Sequence, residues 1–273
     1  MPTDTVTAIV DVATLLQAVF AARRLRIPER AEDESRRSFR HDDWKALVAR
    51  FAPEGRVDYP NFQRVRRLLE EYLGRLSRAR PEEWAETGEQ LAFYLNAYNA
   101  IAIYQVLLAY PVGSIRDVPA AFSRPYPVGH ELHTLHTLLH TKIRAFGDPR
   151  IHAAVVPAAR SAPRLAAYSG TDLDRSLDAQ MSEMLADAAY GLQIDRVKHS
   201  LALNSIFRWF AGDFAAPASM PSVTILARGL ANPSSVLNAL RPYLPTGTAD
   251  LIADPQTRIE WLPYNWELNL SNA

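Results

Sequence analysis

The longest apolar stretch of the chain covers residues 90–110, where hydrophobic side chains recur on every side of the predicted helix. An amphipathic surface helix would keep them to one stripe, so this pattern indicates a buried helix. The stretch is long enough to cross a membrane, but the side-chain amides within it favour the core of a soluble domain. The pattern therefore predicts a central core helix over about residues 88–110.

The ends of this helix carry recognisable signals. Thr87 is predicted to be its N-cap, with Gln90 completing a capping box. Pro111 is predicted to stop it, because proline cannot continue the backbone hydrogen-bond ladder. Asn96 and Asn99 are three residues apart and share one side of the helix. Two interpretations of these amides stay open: they bond to the backbone of a loop, or they line a pocket.

The rest of the chain is predicted to form mainly helices joined by short strands. Apolar residues at helical spacing predict helices over about residues 6–24, 42–51, 60–76, 134–146, 171–190, 204–210 and 232–244. A hairpin is predicted to turn at Gly129-His130, and short strands over 151–156, within 192–203, and near the C-terminus. The predicted fold class is α+β, predominantly α. Residues 1–40 are predicted to form an N-terminal helix and charged linker, and residues 41–273 a single domain.

Composition narrows the classes of function. Thirty basic residues balance thirty acidic ones, so no net charge favours nucleic acid or an anionic membrane as a partner. Cysteine is absent, which excludes disulfides, thiolate metal sites and cysteine nucleophiles. The N-terminus lacks the pattern of a signal peptide, and a cytoplasmic location is expected. The N-terminal helix is expected to pack on the domain or on a second copy, which would give a homodimer.

Several segments together resemble one known family. They are GRVDY at 55–59, LAFYLNAYNAIAIYQVL at 91–107, PVGSIRDV at 111–118, HTLLHTKIR at 136–144, DPRIHAA at 148–154, SIFRWFAGDF at 205–214 and LPYNWELN at 262–269. As a set, over roughly residues 41–269, the chain resembles the domain-of-unknown-function family 547 of bacteria and plants. The resemblance implies a site built from a Glu-His pair on one helix and a cysteine-containing loop, in a distantly papain- or transglutaminase-like arrangement.

The chain departs from that pattern at the reactive positions. Leu138-Leu139-His140 stands where the family helix tends to read Ile-Glu-His. Val156-Pro157-Ala158-Ala159 stands where the family loop tends to read Asn-Cys-Ala-Ser, and Ala162-Pro163 replaces a second Cys-Pro. Proline and alanine cannot attack a carbonyl, so a covalent thiol mechanism is excluded for this chain.

Histidines are the remaining candidates for chemistry. His136 and His140 have the spacing that presents two imidazoles on one helix face, and His152 is a candidate third ligand, so the three form a candidate divalent-metal set. No carboxylate lies between the helix histidines, which argues against a metal. His140 and His152 match the family pattern and are the predicted acid–base residues, because imidazole titrates near neutrality.

Other residues are predicted to orient a ligand. Asn99, as a third catalytic candidate, and Tyr98 and Tyr264 are suited to polarise a bound carbonyl, with Asn96 beside them. The alternative for each is a hydrogen-bonded core group. The cations Arg150, Arg160 and Arg164 are predicted to form a patch beside the pocket that would suit an anionic ligand, the alternative being a solvated loop.

Two functions follow as hypotheses. The first is an enzyme that processes a small molecule or peptide by histidine acid–base chemistry, in a biosynthetic pathway. The second is a catalytically inactive relative that binds a ligand or partner. No cofactor is expected apart from the candidate metal. A cavity lined by convergent His, Asn and Tyr side chains would favour the enzyme, and one filled by Leu139 and Pro157 would favour the inactive binder.

Overall fold

The structure is a computed structural model that describes residues 38–215 and 233–271. The predicted helix over residues 6–24 and nearly all of the charged linker lie outside the described residues. Helices dominate the described part, so the predicted α+β, mainly α class is confirmed. The α-helices are α1 (Asp42–Phe51), α2 (Tyr59–Arg64), α3 (Arg66–Leu76), α4 (Thr87–Ala109), α5 (starting at Leu135–Thr137), α6 (Leu173–Ala186), α7 (Ser205–Trp209), α8 (Ala211–Ala215), α9 (Pro233–Leu240) and α10 (Ala249–Ala253).

The predicted central helix is α4, and it is buried along almost its whole length. By length and composition it could cross a membrane, but 89% of its most apolar window is buried inside the protein, as expected for a core helix. The predicted capping box is wrong, because Thr87 already lies inside the helix and Glu86 precedes it without a side-chain cap. The Gln90 amide instead donates to the carbonyl of Trp84 at 2.6 Å.

Helix α5 changes its winding along its length. Thr134, where the predicted helix over residues 134–146 starts, caps it and forms a capping box with Thr137. After the first turn the chain continues as a π-helical turn, Leu138–Ile143, and then as a 3-10 turn, Arg144–Phe146. Single π-helical turns occur often at functional sites. This one carries His140 and leads into Arg144.

Two small sheets complete the fold. Strands β1 (Tyr126–Val128) and β2 (Glu131–His133) form the predicted antiparallel hairpin. Its turn residues Gly129 and His130 both have positive φ, the geometry that a tight two-residue hairpin requires. Strands β3 (Leu192–Asp195), β4 (Ser200–Asn204) and β5 (Arg258–Leu262) form the second sheet, in that order, with β3 antiparallel and β5 parallel to β4.

The predicted strand over residues 151–156 is wrong. The chain forms a 3-10 helix, Pro149–Ala153, capped by the Asp148 side chain, which accepts from the Arg150 N–H. Proline presets a helical φ at this start. The next backbone groups bond to the Asn99 amide instead of a neighbouring strand. The strand was predicted because an apolar run of this length is typical of a buried strand.

The buried side chains form two clusters. The larger one surrounds α4 and draws on α1 to α3, α5 and the first half of α6. The smaller one lies between the β3–β4–β5 sheet, the second half of α6, and helices α7 to α9. Tyr264 packs against both clusters. A pocket lies where the two clusters meet.

Candidate functional site

A pocket of about 190 Å³ opens between the two hydrophobic clusters. Side chains of α4, α5 and α7 line it, together with the segment after Ala153 and the C-terminal segment that follows β5. Most of the lining is aromatic or aliphatic. The lining residues are Tyr98, Phe122, Leu135, His136, Leu139, His140, His152, Val155, Pro157, Ile206, Trp209, Phe210, Tyr264 and Trp266.

His152 is the deepest histidine of this pocket, with 2% of its surface exposed. It lies on the 3-10 helix that Asp148 caps. The segment just after it is fixed by Asn99, whose amide donates to Ala154 O at 2.9 Å and accepts from Val156 N at 2.8 Å. The ring of Phe210 stacks on the imidazole, with centroids 4.1 Å apart and planes 19° apart. These contacts hold the imidazole in one orientation.

Asp213 of α8 defines which nitrogen of His152 carries the proton. Nε2 of His152 lies 2.9 Å from Oδ2 of Asp213. The hydrogen bonds to His152 and Arg144 outweigh the effect of burial and hold the pKa of the Asp213 carboxyl well below its usual range, so the group is ionised and accepts. Nε2 therefore donates, and in the neutral ring Nδ1 keeps its lone pair. Nδ1 has no hydrogen-bond partner in the described part of the chain.

Arg144 connects this pair to His140. Its guanidinium donates twice to the Asp213 carboxylate, Nε to Oδ2 at 2.6 Å and Nη2 to Oδ1 at 2.7 Å. Its third nitrogen, Nη1, lies 2.8 Å from Nδ1 of His140. Arginine has no lone pair to offer, so His140 Nδ1 accepts and the proton of neutral His140 sits on Nε2. His140, Arg144, Asp213 and His152 thus form one hydrogen-bonded chain.

Both network histidines are neutral near pH 7. Partial burial of its ring, followed by the charges of His136 and Arg144, lowers the pKa of His140 to about 4. Burial also lowers the pKa of His152, although its hydrogen bond to Asp213 acts in the opposite direction. A neutral imidazole with a free Nδ1 lone pair is a proton acceptor, and the adjacent carboxylate stabilises the imidazolium that forms when a proton arrives. This arrangement can perform general acid–base chemistry.

The rings of the C-terminal segment and α7 form an aromatic wall, defined here as Trp209, Tyr264 and Trp266. Ring centroids are 4.8 Å apart for Trp209 and Tyr264, and 4.7 Å for Tyr264 and Trp266. Phe122 meets Trp266 edge to face at 6.1 Å. Trp209 keeps 50% of its surface exposed although it is the largest apolar side-chain type. An exposed tryptophan at the opening of an apolar pocket is a suitable contact for a ligand.

The two predicted tyrosines lie in the pocket. Burial raises the pKa of both Tyr98 and Tyr264, so both hydroxyls stay protonated and can donate. The Tyr264 hydroxyl is buried and without a partner among the described residues. The Tyr98 hydroxyl likewise has no hydrogen bond within the described part of the chain. Tyr98 is the better placed donor, because the Tyr264 hydroxyl is itself buried.

Asn96 and Asn99 correct the prediction that these amides contact a ligand. Asn96 donates to Tyr168 O at 2.8 Å and accepts from Tyr168 N at 2.9 Å. Asn99 uses both of its amide atoms in the same way, on Ala154 and Val156. Neither residue lines the pocket. The first of the two interpretations is confirmed, and Asn99 acts on the site by fixing the backbone after His152.

The predicted cationic patch is also corrected. Arg150 is surrounded by the carboxylates of Asp148, Asp174 and Asp178, each 2.7 Å from its guanidinium. Arg160 donates to Leu270 O, and Arg164 donates to Glu54 O and pairs with Glu183. None of the three arginines lines the pocket. Because local backbone and carboxylate groups already engage them, they hold the fold together here and do not recognise an anion at this site.

The histidines predicted as metal ligands do lie together, but two of their ring nitrogens serve other contacts. His136 and His140 have ring centroids 4.4 Å apart, as their spacing predicts. However, Arg144 occupies Nδ1 of His140, and Asp213 occupies Nε2 of His152. Among the described residues no group of three or more His, Cys, Asp or Glu side chains is arranged to hold a metal ion. The geometry therefore does not support the candidate metal set.

Sequence reasoning missed Asp213, Arg144 and most of the aromatic wall. Arg144 follows His140 by four residues, which puts the two on one side of α5. Asp213 is a single carboxylate among the aromatic residues 207–214, and an acidic side chain in such a run is a recognisable signal for a buried partner. That its partners would be Arg144 and His152 depends on how α8 packs, which local pattern does not reveal.

Comparison with known proteins finds a family match for part of the chain. Residues 81–185 match the family described as "Protein of unknown function, DUF547". The predicted resemblance is thus confirmed over that segment, which contains α4, α5, His152 and Pro157, and the chain has no cysteine. No curated protein and no solved structure matches the chain. The papain- or transglutaminase-like arrangement implied by the resemblance stays a prediction.

Proposed function

We propose that this protein is an enzyme that moves a proton on a small carbonyl compound, with His152 as the general acid–base residue. The observation that carries the proposal is the hydrogen bond between His152 Nε2 and the Asp213 carboxylate, combined with a free Nδ1 on a ring that lines the pocket. A histidine held in this tautomer by a carboxylate has its proton-accepting nitrogen available to a ligand.

The reaction needs no nucleophile. His152 Nδ1 takes a proton from the carbon next to the carbonyl, and the electrons of the broken C–H bond form the enolate. The Tyr98 hydroxyl is suited to donate a hydrogen bond to the enolate oxygen, because burial keeps it protonated. The imidazolium then returns its proton to the same carbon or to another one. The net result is exchange or isomerisation, and no oxidant, reductant or second substrate is consumed.

The second candidate function is binding without turnover. Pro157 supports it, because it lines the pocket at the position where the family loop tends to carry cysteine. The pocket is open and not filled by Leu139 and Pro157, however, and His152 keeps its own carboxylate partner, which the family resemblance did not lead us to expect. These features favour the enzyme.

Proton exchange in heavy water tests the two candidates without knowledge of the natural substrate. The probe is 2-indanone, an uncharged ketone with exchangeable protons beside its carbonyl, and mass spectrometry follows deuterium uptake. We expect the wild type to accelerate uptake, and His152→Gln to lose about 100-fold or more of that acceleration. The variant Leu132→Ala, an exposed apolar position outside the pocket lining, serves as control and should retain wild-type uptake. Binding of 2-indanone with equal uptake in wild type and His152→Gln would establish the binder instead.

A further inference from the structure

The lining of the pocket restricts the class of molecule that fits it. We propose that it binds an uncharged, planar aromatic compound of one or two fused rings that carries a carbonyl group. The assignment of a carbonyl group rests on the proposed function. The assignments of an aromatic ring and of an uncharged ligand rest only on the residues that line the pocket. Size, ring contacts and charge each contribute to the inference.

The volume sets the size of the group that the pocket can enclose. An engineered cavity of about 150 Å³ lined by Leu, Ile and Phe binds benzene. The present pocket, at about 190 Å³, is larger by a margin that suits a fused second ring or a small substituent. A peptide segment of several residues would not fit inside it. Of the two ligand types expected from the sequence, the small molecule is therefore the one that the pocket can enclose whole.

The walls favour a flat ring. Trp209, Tyr264 and Trp266 present successive ring faces and edges within 4.7–6.2 Å of one another. A second run of rings joins His152 to Phe210 and His140, with centroid separations of 4.1 and 6.0 Å. Aromatic pairs gain from offset stacking and edge-to-face contacts beyond the burial of area alone. An aromatic ring would continue this network, and a saturated ring of the same size would not.

The charges around the pocket disfavour both ionic classes. A cation would gain most from the faces of electron-rich rings. Two of the rings already carry guanidinium groups, since Arg116 lies 5.4 Å from the Trp266 ring and Arg144 lies 5.3 Å from the Phe210 ring. A bound cation would have to displace these guanidinium groups from the ring faces. An anion would find no lysine or arginine in the lining, and the charge of Arg144 is offset by its two bonds to Asp213.

A matched series of four compounds separates these contributions. The compounds are 2-indanone, its fully saturated ring analogue hexahydroindan-2-one, the anion indane-2-carboxylate and the cation 2-aminoindane, with affinity measured by protein-observed NMR. We expect 2-indanone to bind at least about 10-fold more tightly than each of the others. Equal or tighter binding of the saturated ketone, of the anion or of the cation would overturn the ring or neutrality assignment, as would no binding of any of the four.

Trp209 provides the protein side of the same test. Because half of its surface is exposed, Trp209→Ala should fold, and circular dichroism checks this. We expect it to weaken 2-indanone about 10-fold and the saturated ketone much less, with Leu132→Ala unchanged as the control. An equal loss for both ketones would contradict the ring assignment. If 2-indanone binds selectively but its protons do not exchange in heavy water, the proposed function fails while the ligand class stands. If its protons exchange but it does not bind selectively, the ligand class fails while the proposed function stands.

Discussion

His152 Nε2 and Asp213 Oδ2 lie 2.9 Å apart although 61 positions separate the two residues. His152 stands between Ile151 of the larger hydrophobic cluster and Ala153 of the smaller one, and Asp213 belongs to α8, which packs in the smaller cluster. Their hydrogen bond therefore forms where the two clusters pack together. The same packing creates the pocket, so the folded arrangement produces the oriented imidazole and its ligand cavity at once.

Replacing Asp213 by asparagine should impair both chemistry and folding. The amide cannot stabilise an imidazolium at His152 as the carboxylate does, so we expect the proton exchange of 2-indanone to fall about 100-fold. Arg144, whose side chain is 12% exposed, would lose the carboxylate that neutralises it. Breaking one side of a buried pair costs about 3 kcal/mol. Urea unfolding of the wild type and Asp213→Asn measures this cost.

The control for Asp213→Asn is an exposed ion pair. Arg196 and Asp250 lie 2.7 Å apart with side chains 56% and 64% exposed. Asp250→Asn should leave both the urea midpoint and the proton exchange unchanged, because solvent screens such pairs. Equal unfolding midpoints for Asp213→Asn and the wild type would show that the Arg144–Asp213 contact does not stabilise the fold.

Substitution of Asn99 separates its structural role from the catalytic role that sequence suggested. Asn99→Ala removes two buried hydrogen bonds and leaves Ala154 O and Val156 N without their partner. We expect a loss of roughly 2–4 kcal/mol in the free energy of unfolding. Asn61→Ala, which removes an exposed side-chain contact to Asp58, should change it much less. A stable Asn99→Ala protein with no proton exchange would instead show that Asn99 acts by positioning His152 and not by stabilising the fold.

The elements with strong local signals were predictable. The all-round apolar pattern of α4, the Gly129-His130 turn and the Thr134 cap each have a local physical cause, and the structure contains all three. The structure of the segment after Asp148 was not predictable, because an apolar run of six residues fits a buried strand or a buried helical turn equally well. The Asn99 amide and the Asp148 cap decide between them, and one of these partners lies far away in sequence.

The site was predictable in its histidines and tyrosines but not in its charges. His140, His152, Tyr98 and Tyr264 were identified by residue type and by family pattern. Arg150 looked like a ligand-binding cation because nothing local shows that Asp174 and Asp178 of α6 would surround it. Asp213 was overlooked because nothing local shows that it would pair with Arg144 and His152. Whether a charge is free or paired depends on packing between distant segments.

His41 should make the stability of the protein fall in mild acid. It is 9% exposed, its Nδ1 lies 2.6 Å from the Tyr72 hydroxyl, and its Nε2 is buried without a partner in the described residues. Burial, aided by the charge of Arg75, lowers its pKa to about 3. The His41 imidazole therefore binds a proton near pH 6.5 in the unfolded chain but not in the folded state, and stability is lost as the pH falls below that value.

The size of this effect follows from the proton linkage. Between about pH 7 and pH 5, His41 alone should cost about 2 kcal/mol of the free energy of unfolding. His133, His140 and His152 also have a lowered pKa and add to the loss with the same sign. We expect His41→Gln to flatten the urea-midpoint profile over this range, and the exposed His199→Gln to follow the wild type. A wild-type midpoint that does not change between the two pH values would contradict the buried neutral state of His41.

Introducing a thiol at Pro157 tests whether His152 can activate a group in the pocket. Both residues line it, and the chain contains no cysteine, so Pro157→Cys creates a single reactive site. A neighbouring base raises the thiolate fraction, and iodoacetamide reacts with the thiolate. We expect Pro157→Cys to be alkylated about 10-fold faster than the double variant Pro157→Cys, His152→Gln. Val197→Cys, at a position 94% exposed, is the control, and its rate should not depend on His152. Equal rates for the single and double Pro157 variants would mean that the Nδ1 lone pair of His152 does not reach this part of the pocket, and the acid–base assignment would have to be abandoned for substrates bound there.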